Sequence, residues 1–208
     1  ELLYAENTEQ LLNQTAISLE DYLRSMRRIS DAMYYSVIKD KDLATEGLDE
    51  EMDLLYEANK DNLVSIACYA RDGGLVAAAP IANVKAGISV TDQEWFQDAV
   101  DQLENFHFST PHVQNLFDDP SYRYHWVVSL SRTVELTNNG GTMQGVLLVD
   151  MNYSSIKQLL EKVNQDVSKE YVYLMDRNGE IIYHPKQNLI RTGLLGEDNQ
   201  DVSGYEDG

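Results

Sequence analysis

The sequence predicts an α+β fold, with a long N-terminal helix, then an antiparallel sheet unit carrying helices, then the start of a second, smaller unit of the same plan. Three observations lead there. Residues 2–38 contain neither Pro nor Gly and repeat apolar side chains at helical spacing. Residues 67–80, ACYARDGGLVAAAP, read as strand, turn, strand and Pro. Residues 171–186, YVYLMDRNGEIIYHPK, repeat that design, with Gly74 answering to Gly179 and Pro80 to Pro185 at one offset. A shared offset of that size fits a duplicated unit of domain dimensions rather than a solenoid of short repeats.

Each element has its own signal. In the first helix Leu12, Ala16, Leu19, Leu23, Met26, Ser30, Met33 and Val37 follow at alternating steps of four and three. The stripe suits both packing on the helix's own domain and parallel self-association, although Ala16 and Ser30 are poor coiled-coil core residues. Gly47 breaks the pattern, and Asp49 is the expected N-cap of a second helix, EEMDLLYEANK, whose acidic start complements the helix dipole. After the first hairpin, Thr91 and Glu94 form an expected capping box opening QEWFQDAVDQL. A short strand is expected near Phe106 to Phe108, and the loop STPHVQNLFDDPS leads to a long strand from Tyr122 to Leu136. Asn138-Asn139-Gly140-Gly141 turns that strand back into GVLLVDM, and SSIKQLLEKV follows as a helix. The second hairpin turns at Asp176-Arg177-Asn178-Gly179, and the tail after Arg191 is acidic and without apolar period. The expected division is 1–47 for the signalling and dimerisation helix, 48–168 for the first sheet unit, and 169–208 for an incomplete second unit.

Composition narrows the function. The 35 acidic against 16 basic residues give a formal charge of −19, which excludes a nucleic-acid-binding surface, since phosphate neutralisation needs Lys and Arg. Cys68 is the lone cysteine, so no intrachain disulfide forms, and its place in a strand marks it as a buried, inert thiol. There is no apolar run of about 18 residues such as a membrane span requires, nor a signal-peptide pattern. The chain starts at Glu1 without Met and reads as excised from something longer. P-loop, GxGxxG, GxSxG and HExxH motifs are lacking, and His107, His112, His125 and His184 have no metal-ligand spacing, so neither catalysis nor a cofactor is expected.

The long N-terminal helix, TDQEWFQDAV followed by WVVSLSRTVE and GVLLVDMNYSSI, and finally YVYLMDRNGEIIYHP together resemble the double Cache family of bacterial extracytoplasmic sensors. The resemblance covers nearly the whole chain. It implies two PAS-like units stacked on the long helix, with the ligand in the membrane-distal one. It further implies an extracytoplasmic ligand-sensing module at the cell membrane, anchored through segments outside this chain and homodimeric in the intact receptor. A two-component sensor histidine kinase is the first expectation and a methyl-accepting chemoreceptor the alternative. A ligand-free dimerising or partner-binding spacer is a rival reading, and a soluble α+β enzyme a more distant one.

The amino-acid-binding branch of that family carries a Tyr, Arg-x-Trp-Tyr, and an Asp at the end of the last strand. Trp95 and Asp150 match, Phe96 stands for the second aromatic, and Gln93 replaces the Arg. Without that Arg a ligand carboxylate loses its bidentate partner, so the resemblance points to a small polar or cationic molecule rather than an α-amino acid. Asp150 would meet a ligand ammonium, or else cap the following helix through amides near Tyr153. Trp95 and Phe96 would wall the ligand, or else belong to the core. Along the long strand, Tyr122, Tyr124, Trp126, Val128 and Leu130 form one face and Arg123, His125, Val127, Ser129 and Ser131 the other. The second, mixed face supplies His125 and Ser129 as candidate pocket residues, with Tyr69 of the first hairpin beside them.

Overall fold

The computed structural model describes residues 2–80, 83–103, 106–118, 125–166, 171–175, 179 and 181–186. Helix α1 spans Leu2–Met33 and continues as a π-helical turn over Tyr34–Ile38. Its apolar stripe divides. Met26, Ile29, Ser30 and Met33 are buried, whereas Leu12 and Leu23 are 37% exposed and Ile17 59%. Helix α2 is Asp49–Asn59, and it corrects one expectation: the N-cap position is Leu48, which is buried, while Asp49, Glu50 and Glu51 form the first turn. The acidic residues meet the dipole there, and Lys41 pairs with Glu51 across the helix start.

The sheet strands are β1 Leu63–Ala70, β2 Leu75–Ala79, β3 His107–Phe108, β4 His112–Val113, β5 Trp126–Asn138 and β6 Gly141–Asn152. They pair antiparallel in the order β2-β1-β6-β5-β3, with β4 also on β5. Strand β4 falls in the segment read from sequence as loop. Residues 122–124, expected at the start of the long strand, lie outside the described residues. Asn139 (φ 51°) and Gly140 (φ 71°) both take the left-handed conformation that a two-residue hairpin between β5 and β6 requires. Asp42 holds this turn, its carboxylate accepting the N–H groups of Asn139 and Gly140 at 2.8 Å each and of Ala44 at 3.0 Å.

Between β2 and β3 lies α3, Glu94–Asp101, with Gln93 as its cap residue and no side-chain cap. The Thr91 capping box is therefore not formed. The Thr91 hydroxyl sits 3.1 Å from Ser89 Oγ, and its methyl packs so close to the β1–β2 turn that a Cβ on Gly73 would approach it to 3.0 Å. Tertiary packing has overridden a local signal. Cys68 is fully buried, and burial pushes its thiol up to about 12.

The chain divides into two compact units, residues 22–153 and residues 1–21 with 154–208. In the latter, α4 spans Tyr153–Asp166, and β7 Leu174–Met175 pairs antiparallel with β8 Ile181–Tyr183. Asn164 of α4 grips Val172 from both sides, donating to its carbonyl at 2.9 Å and accepting its N–H at 2.7 Å. Residues 176–178 of the second turn and the tail beyond residue 186 lie outside the described residues. Gly179 (φ 83°) has its conformational counterpart in Gly73 (φ 84°), one residue from the match that the sequence offered at Gly74.

Candidate functional site

One face of the sheet brings together Ser65, Ala67 and Tyr69 of β1, Val146, Leu148 and Asp150 of β6, and Ser129, Ser131 and Thr133 of β5. The registers Ser65↔Asp150↔Ser129 and Tyr69↔Val146↔Thr133 align them in rows. Helix α3 is tied across this face by hydroxyls: Ser131 Oγ donates to the Trp95 carbonyl at 2.8 Å and Thr133 to that of Ala99. Trp95 and Phe96 are thereby held over the sheet, their rings 5.7 Å apart and nearly edge to face, with the Tyr69 ring 5.7 Å from Trp95.

Asp150 is 1% exposed. Ser65 donates to its Oδ2 at 2.9 Å, Ser129 donates to Oδ1, and the Gln114 carboxamide also donates to Oδ2. Gln114 is itself fixed, because its Oε1 accepts the Leu116 N–H at 2.8 Å and its backbone N–H donates to the His125 carbonyl at 2.9 Å. His112 completes the group, with Nε2 3.3 Å from Ser129 Oγ and Nδ1 2.9 Å from the Thr110 carbonyl. Burial pushes the Asp150 carboxyl above the ordinary range. The Ser129, Ser65 and Gln114 hydrogen bonds and nearby His112 pull it back only in part. The carboxylate's partners are side chains of β1, β5 and the segment after β4, not the amides that begin α4.

Tyr69 is fully buried, yet among the described residues its hydroxyl has no hydrogen-bond partner. Among the described residues only Ser30 Oγ shares that condition. Burial, and then the Asp150 charge, push the phenol's pKa up, so it stays a donor. A buried donor left unpaired costs about 1–3 kcal/mol, so a polar atom supplied at this point would be favoured.

Of the residues singled out in the sequence, Tyr69, Trp95, Phe96, Ser129 and Asp150 converge. The His125 side chain is exposed just before β5, and its carbonyl accepts the Gln114 N–H. Ser65, His112 and Gln114 were missed. Ser65 was legible in principle, since it lies two and four residues before Ala67 and Tyr69 on the same strand face. No period marks His112 in a two-residue strand or Gln114 just after it. Gln93 places its amide 3.2 Å from the Ser89 carbonyl and brings no charge. Among the described residues no Lys or Arg is a partner of Asp150. Among the described residues no three His, Cys, Asp or Glu side chains converge as metal ligands.

The family model for the Cache domain matches residues 2–207. Sequence comparison with curated proteins gives no match. Three similar solved structures are ligand-binding domains of bacterial chemoreceptors. That of Campylobacter jejuni Tlp3, in complex with 4-methylisoleucine, has a TM-score of 0.61 at 14% identity over 95% of this chain and 74% of that one. The Pseudomonas aeruginosa PctC domain with GABA gives 0.62 at 18% identity over 90% and 80%. The P. aeruginosa PctB domain with L-Gln gives 0.63 at 15% identity over 95% and 73%. At such identities the likeness is one of fold.

Proposed function

The chain belongs to the Cache domain family, and we propose that it is the extracytoplasmic ligand-binding domain of a membrane-anchored chemoreceptor. The chemoreceptor domains among its structural neighbours favour that output over a histidine kinase. Among the described residues no helix is long and apolar enough to cross a membrane, so anchoring would rest on segments outside this chain. In the intact receptor the domain would pair as a homodimer through α1.

The ligand is a small molecule bearing an ammonium or comparable donor, held between Tyr69, Trp95 and Asp150. The observation that carries this reading is the buried Tyr69 hydroxyl without a partner, set beside an aromatic wall and close to a buried carboxylate. An ammonium would take over the place on Asp150 now held by the Gln114 amide, trading a neutral donor for a charge-assisted one. The segment that carries Gln114 would move as a consequence, which gives binding a structural output. The neighbours' ligands are amino acids, and their ammonium group suits Asp150. Their carboxylate would find Gln93 where the amino-acid-binding pattern has Arg.

Titration calorimetry with ethylamine, putrescine, GABA and L-valine tests both layers. The amines are expected to bind the parent and to lose roughly ten- to a hundred-fold in Asp150→Asn, the worth of a charge-assisted hydrogen bond. Equal amine affinity in parent and variant, or no binding by any probe, refutes the site. Micromolar L-valine binding that depends on Asp150 refutes only the ligand class.

A further inference from the structure

A cleft opens within the unit of residues 22–153, and of the residues placed on the Asp150 face it shares only Thr133. Its volume is 630 Å³, and its lining includes Tyr34, Arg71, Phe106, Arg132, Glu135 and Met143. Such a volume is typical of small-molecule pockets. We infer that this cleft binds a small organic carboxylate with an apolar body, anchored by Arg132 and Arg71, at a site separate from that of Asp150.

The first argument is the unspent capacity of Arg132. Its side chain is 15% exposed, and its guanidinium lies over the rings of Phe106 at 4.7 Å, Tyr34 at 5.0 Å and Tyr35 at 5.7 Å. Among the described residues its one ion pair runs from Nη1 to Asp31 at 2.7 Å. A guanidinium has five N–H donors, and its remaining donors border a cleft of ligand size. Aromatic stacking fixes the plane of the group, which is the preorganisation that bidentate carboxylate recognition needs.

A further feature points the same way. Arg71, at the β1–β2 turn, has no carboxylate partner among the described residues, so it brings a second guanidinium group to the cleft, beside Glu135 and the Arg132 already paired with Asp31. Arg132, Arg71 and the apolar surfaces of Phe106 and Met143 thus offer anion donors beside a hydrophobic wall.

The test compares benzoate with benzyl alcohol and benzylamine, which keep the ring and change the charge. Calorimetry on the 208-residue protein should show benzoate binding at least about tenfold tighter than either analogue, the least that a charge-assisted contact contributes. In protein carrying 13C-methyl methionine, the Met143 resonance should move with benzoate while that of Met52 stays. Arg132→Gln should abolish binding, with circular dichroism checking its fold, since Arg132 also holds Asp31. Arg71→Gln, at an exposed turn, should weaken benzoate about tenfold and leave the fold intact. Benzoate binding no tighter than benzyl alcohol, a stationary Met143 signal, or parental affinity in Arg71→Gln overturns the inference.

Discussion

Asp150 is a carboxylate whose hydrogen bonds do not restore what burial removes, so its proton leaves at higher pH in the folded protein than in the unfolded chain. Between the ordinary carboxylate range and the raised folded value the native state binds more protons than the unfolded one. Stability therefore falls as pH rises through that window and remains lower at neutral pH. Asp150→Asn keeps the shape and removes the charge. It is expected to raise the melting temperature at neutral pH, with a gain that shrinks as the pH is lowered below the ordinary carboxylate range, while amine binding is lost. A variant that is less stable than the parent at neutral pH would assign the carboxylate a structural role. The positions of Asp150 and Trp95 were legible only through family resemblance, because an Asp in an apolar run has several uses. Strand alternation put Ser129 on the face that carries Asp150, and the same parity named His125, whose side chain is exposed just before β5. Gln114 and His112 reach the carboxylate from a segment whose sequence reads as loop, and only the pairing of β4 with β5 puts them there.

Local chemistry made the β5–β6 turn readable. Asn139-Gly140 is a strong hairpin signal, and both residues take the positive φ it implies. The carboxylate that fixes the turn was not readable, because Asp42 lies 97 residues from Asn139 in sequence. The Thr91 capping box shows the converse, a correct local signal that lost to packing against the β1–β2 turn. A second long-range constraint is Gly145, opposite Ala70 on β1 and Val134 on β5. A Cβ there would lie 2.5 Å from Leu136 Cδ1 and 2.7 Å from the Tyr69 carbonyl oxygen. The leucine can turn aside, but the backbone of β1 cannot, so Gly145→Ala must push two central strands apart. The expected cost is about 1–3 kcal/mol, the usual range for overpacking, read from denaturant unfolding. The displacement would also shift Tyr69, so the Tyr69–Trp95 contact should loosen and the near-ultraviolet dichroism should change with it. A variant as stable as the parent would mean that the strands are not so tightly registered.

Across the whole molecule, the four-three stripe of α1 was legible as a helix but not as an interface, because spacing does not say what covers each stretch. The structure divides it. Met26, Ser30 and Met33 are completely buried, so this part of the stripe is occupied by the protein's own core, and Leu12 and Leu23 keep 37% of their surface exposed. The expectation of one continuous dimer seam from Leu12 to Val37 is thereby narrowed to its N-terminal part. If the homodimer proposed for the receptor forms there, cysteines introduced at Leu12 and Leu23 of the full-length protein in membranes should cross-link between subunits under mild oxidation. A cysteine at Met26 should not, being enclosed within its own unit. Such a pattern requires the two helices to run side by side, since a disulfide needs Cα atoms within about 7 Å of each other. Failure at both exposed positions would move the interface off α1. Cross-linking at Met26 as efficient as at Leu23 would mean that the helix leaves its own core in the assembled receptor. Only the alternation of open and closed positions matches a helix that is core on one stretch and interface on the other.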